Sequence, residues 1–312
     1  YKPETGALSS EATKVKITDA EKKVAASEAA TLRAYHYFNL VRLFGGVFLV
    51  HEPADPFEAT SINRSSVADI YKLIIADLQF AAANGISVKY ASIPATSLGK
   101  VNAWTAKALL AKVYLTLNRK TDAIPLLNDI IANSGYGLVS SYADVFSITN
   151  EMNKEVMFAI RYKAGGISQG SPFPNLFAPE LSGVAIINGD GSSQNAPCAE
   201  LNSAYNVLDN RNAASIGVYG KALNNLYPKK MISQVSLKGD AENDWIVIRY
   251  ADILLMLAEA QGNTPTSLAL MNQTRARAGL PALTATTVTT TAIFEKELAN
   301  ERRLEFTFEN MR

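Results

Sequence analysis

Apolar residues recur at helical spacing over most of this chain, and that period limits its fold more than any other feature. A first stripe advances in steps of three and four residues, which places it on one face of a helix; it consists of Ala26, Ala30, Ala34, Tyr37, Val41 and Phe44. Gly45 and Gly46 predict the end of that helix. The residues from Ser66 to Asp69 have the form of a capping box and predict a second helix. Its buried face is expected to hold Val67, Ile70, Ile74, Leu78 and Ala81.

Residues 102–134 predict a helical hairpin with the spacing of a 34-residue tetratricopeptide repeat. Small residues are needed where the two helices of such a repeat cross, and Ala111 and Ala123 stand at those positions. A second hairpin is predicted over 249–279, where Ala258 and Ala269 are eleven residues apart instead of twelve. We interpret it as a degenerate repeat with a shortened turn, and two unrelated alanine-rich hairpins are the alternative.

The predicted fold class is therefore mostly α-helical, with a few short β-strands. Helices are predicted over 33–44, 67–83, 103–117, 122–132, 251–260 and 293–308, with the last pattern running from 292 to the end of the chain. Short strands are predicted at 156–162 and 245–249. We expect one domain over 1–312, with the first two helix pairs in 19–134 and further helix pairs in 245–312.

Between residues 165 and 244 the helical period is lost, and Gly, Ser, Asn and Pro become frequent. Eighty such residues are too many for a passive connection between helices. We therefore expect this irregular segment, together with the extended stretch after the first helix, to form a ligand face on a helical scaffold.

Composition excludes several classes of protein. The 48% hydrophobic content supports a large core, and 30 Lys+Arg against 29 Asp+Glu leave a net charge of +1. That balance lacks the basic excess of a nucleic-acid-binding protein, so no nucleic acid partner is expected. The single cysteine, Cys198, cannot form an internal disulfide or a cysteine-rich zinc site.

The segment from Gly166 to Gly170 matches the G-x-S-x-G turn that presents a catalytic serine in many hydrolases. Its context does not fit, because Pro172 and Pro174 occupy the place of the required helix, and both histidines precede Ser168. We expect no catalysis by Ser168. Asn188, Asp190 and Ser192 have the alternation of a calcium loop, but the twelfth-position glutamate and the central glycine are missing. No metal site and no cofactor are predicted.

Charged and aromatic residues within the helical segments are interpreted as structural. Glu301 and Glu305 lie one turn apart with Arg302 and Arg303 between them, a pattern that favours ion pairing within the fold. The two tryptophans, Trp104 and Trp245, are interpreted as core anchors.

Six segments, in the same order, resemble the SusD/RagB family of outer-membrane nutrient-binding lipoproteins. They are SEAATLRAYHYFNLVRLFGGVFLV, RSSVADIYKLIIADLQFAA, GKVNAWTAKALLAKVYLTLNRKTDAI, ENDWIVIRYADILLMLAEAQGN, LMNQTRARAGLPAL and ERRLEFTFENMR. The sequence departs from the family where Phe48 replaces the usual proline and where no lipid-bearing cysteine stands near the start. Members also continue beyond the position of Arg312, so we expect this chain to be a truncated member that lacks the anchor region and the C-terminal end.

The resemblance implies a non-enzymatic, lipid-anchored protein on the surface of the outer membrane. Tetratricopeptide-like helix pairs, in a right-handed superhelix, would support an irregular ligand face. The protein would capture oligosaccharides, or a peptide in some members, and deliver them to a TonB-dependent transporter. Contact with the membrane would come only through the lipid anchor.

The ligand-binding residues are predicted from the irregular segments, where no core pattern claims them. They are His51, Phe173, Phe177, Asn188, Asp190 and Asn195, with Tyr205 as a further aromatic candidate. Aromatic rings stack on the apolar faces of sugar rings, and amide and carboxylate groups pair with hydroxyls. A peptide-binding tetratricopeptide adaptor is the alternative function, and a glycosidase is the third.

Overall fold

The computed structural model describes residues 17–50, 61–220 and 225–310. These residues group into two compact units. The first holds the chain up to Ser87 together with 101–113, and the second holds 88–100 together with the chain from Tyr114 onward. None of the helices within the described ranges is long and apolar enough to cross a membrane. The single-domain organisation stays a prediction.

Two antiparallel helices, α1 (Asp19–Phe44) and α2 (Val67–Asn84), form most of the first unit, and α3 (Ala103–Thr116) begins in it. Ser66 caps α2 as predicted, because its hydroxyl accepts the Asp69 N–H. Arg33 of α1 donates to both carboxylate oxygens of Asp77 in α2, at 2.8 and 2.7 Å. This bidentate pair gives Arg33 a structural role and fixes the register of the two helices.

The buried stripes of α1 and α2 differ in part from the predicted ones. On α1, Ala30, Ala34 and Val41 are buried, but Ala26 and Phe44 at the ends are exposed. Tyr37 is half-buried, and its neighbour Phe38 is buried instead. On α2 the predicted face is confirmed except for Val67, which is 44% exposed at the first turn. A residue at the end of a helix has a neighbouring turn on one side only. The spacing of apolar residues therefore does not decide whether such a residue is buried.

The second unit contains the remaining helices and the strands. In chain order they are α4 (Lys120–Asn133), β1 (Val156–Ile160), α5 (Phe173–Phe177), α6 (Ala199–Ala204), α7 (Arg211–Ser215), β2 (Ile216–Val218), β3 (Leu226–Pro228), β4 (Trp245–Arg249), α8 (Tyr250–Gln261), α9 (Pro265–Arg277) and α10 (Thr291–Glu305). β1 pairs with β4 and β2 pairs with β3, both antiparallel. The fold class, mostly helical with a few short strands, is confirmed.

Helix α8 is the centre of the second unit, buried on nearly all sides, and α4, α9 and α10 pack against it. The predicted hairpin over 249–279 is confirmed as α8 and α9. Ala258 is fully buried, as the repeat pattern requires, but Ala269 is exposed and Met271 is buried instead. The second hairpin is therefore a helix pair in which position 269 of the predicted repeat does not belong to the core.

The last helix is shorter than predicted. α10 ends at Glu305, and both Phe308 and Asn310 have positive φ angles, 68° and 54°. A left-handed backbone cannot continue an α-helix. The prediction of a helix up to residue 308 and beyond is wrong at this end.

The irregular segment 165–244 has small cores of its own and is more than a connection. Ala178, Ile187, Val235 and Ala241 form one cluster. Tyr205 belongs to another and is 7% exposed, with its hydroxyl donating to the backbone oxygen of Leu304 at 3.0 Å. The expectation that Tyr205 offers an exposed ring is therefore wrong.

Candidate functional site

A small aromatic surface is built where the β1–β4 ribbon meets the irregular segment. Ile160 of β1 lies opposite Trp245 of β4, so their side chains share one face of the ribbon. Tyr162 follows Ile160 by two residues, the spacing that returns a side chain to the same face of a ribbon. Ile160 is 42% exposed there, and Tyr162 and Trp245 are half-buried.

Phe173, the first residue of α5, completes this surface. Its ring centroid lies 4.6 Å from that of Trp245, and 5.8 Å from that of Tyr162 in an edge-to-face arrangement. Phe173 is itself half-buried. We call Tyr162, Phe173 and Trp245 the aromatic platform. Sequence reasoning placed Phe173 in the site but assigned Trp245 to the core and did not single out Tyr162.

Phe177 supports the platform from below. Its ring stacks on Phe173 with a centroid distance of 5.7 Å and an interplanar angle of 26°, and it is only 7% exposed. The prediction that Phe177 offers an exposed ring is wrong, because the last turn of α5 points it into the protein. Its contribution to any ligand contact is indirect, through Phe173.

A buried asparagine that the sequence analysis missed attaches α5 to the following loop. The Asn175 side-chain amide donates to the backbone oxygens of Asn188 and Asp190 at 2.9 and 2.8 Å, and its carbonyl accepts the Gly239 N–H at 2.8 Å. An asparagine between two phenylalanines and two prolines carries no local signal for this role, because its partners are 13 to 64 residues away.

The other predicted site residues lie in different surroundings. The Asn188 side chain is exposed and donates to the backbone oxygen of Ser236. Asp190 accepts the N–H groups of Gly191 and Gly183, and these bonds lower the pKa of its carboxyl. The carboxylate thus holds a turn. Asn195 is exposed, and His51 lies outside the described residues.

Ion pairs lie on the face of the β1–β4 ribbon opposite to the aromatic platform. Arg161 lies 2.7 Å from Asp244 and 2.8 Å from Glu151, and Lys163 lies 2.7 Å from Glu242. Burial raises the pKa of the Asp244 carboxyl, while a hydrogen bond from the Tyr162 N–H and the charge of Arg161 act in the opposite direction. Burial and the charge of Asp244 also raise the pKa of Glu151.

The loop that contains Ser168 does not form a nucleophile turn. An antiparallel bridge between Lys163 and Gln169 closes the loop, and the exposed Ser168 lies in it with a φ of 61°. Asp240 fastens the loop by accepting the N–H groups of Gly165 and Gly166, each at 2.8 Å. In the residues that the structure describes, no group of three or more His, Cys, Asp or Glu side chains is placed to hold a metal ion.

The charges on α10 are structural, as predicted, but their partners come from distant parts of the chain. Glu301 and Glu305 are buried and bind Arg211, 90 and 94 residues away. Arg302 pairs with Asp252 at 2.7 Å, and Arg303 pairs with the exposed Glu200.

The described part of the second unit contains grooves large enough for a ligand, and two of them bear on the predictions. One, of about 390 Å³, lies among helices and is lined by Lys120, Glu259, Phe294, Glu295, Leu298 and Arg302. The other, of about 410 Å³, includes the predicted Asn195 beside Arg303 and Phe308. Asn195 therefore lines a groove that is not formed by the aromatic platform.

Helix pairs that carry a long irregular segment with a half-buried aromatic surface are typical of scaffold proteins that use their loops for recognition. Comparison with known proteins identifies the family of the chain. Residues 160–312 match the model of the SusD family, and residues 7–115 match a model described as "Starch-binding associating with outer membrane". The chain belongs to the SusD/RagB family.

Among curated relatives, SusD-like protein P25 of Formosa agariphila is 24% identical over 301 residues, covering 81% of this chain and 55% of the relative. SusD-like protein P2 of the same organism is 26% identical, covering 94% of this chain and 65% of the relative. The chain thus spans 55% and 65% of the lengths of these two proteins.

Solved structures show the same fold. A laminarin-binding SusD-like protein is 26% identical with a TM-score of 0.81, and the match covers 95% of this chain and 70% of that one. Surface glycan-binding protein A from Bacteroides uniformis is 22% identical with a TM-score of 0.82, covering 95% of this chain and 66% of that one.

Proposed function

We propose that this protein binds glycans without chemically altering them, and that the aromatic platform is its contact surface. The observation that carries the proposal is the cluster of the half-buried Tyr162, Phe173 and Trp245 rings beside the ribbon, supported by the buried Phe177. Such rings offer apolar faces to pyranose rings at a small entropic cost, because their neighbours already hold them. The laminarin-binding relative supports a glycan as the ligand class.

The test measures the retention of the protein in native gels that contain laminarin or soluble starch. Phe173→Ala removes the central ring, and we expect it to weaken retention about tenfold, the effect of losing one anchor worth about 1–2 kcal/mol. Phe80→Ala is the matched control, because that ring is 40% exposed on α2 in the first unit. Equal retention of both variants and the wild type would contradict the proposal.

We further propose that the protein acts at the surface of the outer membrane, through a lipid anchor, and delivers glycans to a TonB-dependent transporter. The family description supports the membrane association. The test is copurification of the protein with such a transporter from outer membranes. Its absence under conditions that preserve other membrane complexes would count against delivery.

A peptide-binding adaptor is the second candidate, and the helix-lined groove of about 390 Å³ favours it. Lys120 and Glu295 give this groove one positive and one negative charge, which suit the two ends of a peptide. If the protein is an adaptor, Lys120→Glu should abolish peptide binding and leave glycan retention unchanged. A glycosidase is the third candidate. Hydrolysis of a chromogenic glycoside by the wild type would favour it over binding alone.

A further inference from the structure

Arg161 is the point where three separate segments of the second unit meet behind the aromatic platform. Its Nε lies 2.7 Å from Asp244 Oδ2, and its Nη2 lies 2.8 Å from Glu151 Oε2. The backbone of Gly99 lies against its aliphatic stem, so close that a Cβ on Gly99 would be 3.1 Å from the Arg161 Cγ. Gly99 also has a φ of 90°, which favours glycine.

Without Arg161, the carboxylates of Asp244 and Glu151 could not both keep their positions and their negative charges. The Asp244 side chain is only 9% exposed and that of Glu151 is 22% exposed, and the charge of Asp244 raises the pKa of Glu151. Two largely buried carboxylates that repel each other need a shared cation or must move or take up protons. Arginine suits this position because its planar fork can serve two carboxylates at once.

Asp244 connects this charge arrangement directly to the platform. It precedes Trp245 in the chain, and its Oδ1 accepts the N–H of Tyr162 at 2.9 Å. One carboxylate thus sets the backbone position of both platform residues that the ribbon supplies. A movement of Asp244 would shift Tyr162 and Trp245 relative to Phe173, which belongs to α5 instead of the ribbon.

We propose that Arg161 is a positioning residue of the glycan site: by neutralising Asp244 and Glu151 it holds Tyr162 and Trp245 in the geometry that a sugar ring requires. The inference rests on the proposed function. Arg161 itself contacts no ligand in this role, since it lies on the reverse side of the ribbon from the rings.

The experiment combines glycan retention with the fluorescence of Trp245. Only two tryptophans are present, and Trp104 is 4% exposed, so iodide quenching reports mainly on Trp245, with Trp245→Phe as the spectral blank. We expect Arg161→Gln to weaken retention by laminarin or soluble starch about fivefold, as for a partly exposed ion pair, and to change the quenching of Trp245.

The double variant Arg161→Gln/Asp244→Asn separates positioning from a general structural effect. The amide introduced in place of the Asp244 carboxylate would still accept the Tyr162 N–H but would need no cation. Retention and quenching should therefore return to within about twofold of the wild type. Arg119→Gln is the matched control, because Arg119 also forms a partly exposed ion pair, with Asp122 at 2.7 Å, and should change neither quantity.

The outcomes are distinct. Unchanged retention and quenching in Arg161→Gln, or a double variant as weak as the single one, would overturn the positioning role. If the wild type were retained by no glycan, the proposed function would fail, and with it the role of Arg161 in binding. The quenching of Trp245 and its recovery in the double variant would then decide whether Arg161 organises the ribbon.

Discussion

Replacing Arg249 by methionine should destabilise the second unit strongly, because this side chain neutralises three buried carboxylates. Arg249 is fully buried at the junction of β4 and α8. It lies 2.8 Å from Glu155, 2.6 Å from Glu305 and 2.7 Å from Glu309, and it also donates to the backbone oxygen of Glu305. Methionine fills much of the same volume but removes the one cation that all three carboxylates share.

The size of the loss follows from the burial of the network. Removing one partner of a fully buried ion pair costs about 3–5 kcal/mol, mainly because the remaining charge is stranded. Arg277 and Lys230 remain beside the carboxylates and keep the cost from growing further. For a unit of this size, a loss of about 3–5 kcal/mol corresponds to a fall in Tm of roughly 6–20 °C.

Urea unfolding followed by circular dichroism at the helical band measures this loss. Arg119→Met is the control, because the Arg119–Asp122 pair is nearly half exposed and should contribute less than about 1 kcal/mol. A loss in Arg249→Met no larger than in the control would refute the reasoning. It would mean that the three carboxylates relax into water or take up protons at little cost.

The same variant changes the dependence of stability on pH in a defined direction. Burial alone would raise the pKa of Glu305, but the charges of Arg249, Arg277 and Arg211 outweigh it and lower the pKa from 4.5 to about 2. A lowered pKa in the folded state stabilises above pH 4.5, and this stabilisation is lost as the pH falls towards 2. Without Arg249 the pKa of Glu305 rises towards its ordinary value. The difference in free energy of unfolding between the wild type and Arg249→Met should therefore narrow as the pH falls from 4.5 to 2.

Two further predictions concern packing. Ala111 is fully buried, so Ala111→Leu should overpack its surroundings at a cost of about 1–3 kcal/mol; an unchanged melting temperature would contradict this. Phe177→Ala should lower both stability, by about 3–5 kcal/mol, and glycan retention, because Phe177 supports Phe173 from the core. Weaker retention with an unchanged melting temperature would instead assign Phe177 to the surface.

The helices could be predicted because their signal is local. The signal consists of apolar residues spaced by three and four and of caps such as Ser66. These residues are close together in the chain, and they decide which face of a helix is buried and, where a cap is present, where the helix begins. The strands predicted at 156–162 and 245–249 are found at Val156–Ile160 and Trp245–Arg249, but their pairing joins segments 85 to 93 residues apart. Pairing over that distance has no local pattern, so it had to be observed.

The site depends on such distant contacts far more than the helices do. Phe173 and Phe177 lie in the same short segment, yet Phe173 is half-buried and Phe177 buried, because the turn of α5 places them in different surroundings. Trp245 looks like a core residue within its apolar strand, but it pairs with the exposed Ile160 and shares the exposed face of the ribbon with it. The sequence by itself determined the helical scaffold and the place of the irregular segment in it. Only the tertiary structure decided which rings reach solvent and which carboxylates share an arginine, since burial and charge pairing depend on residues that the chain brings together from far apart.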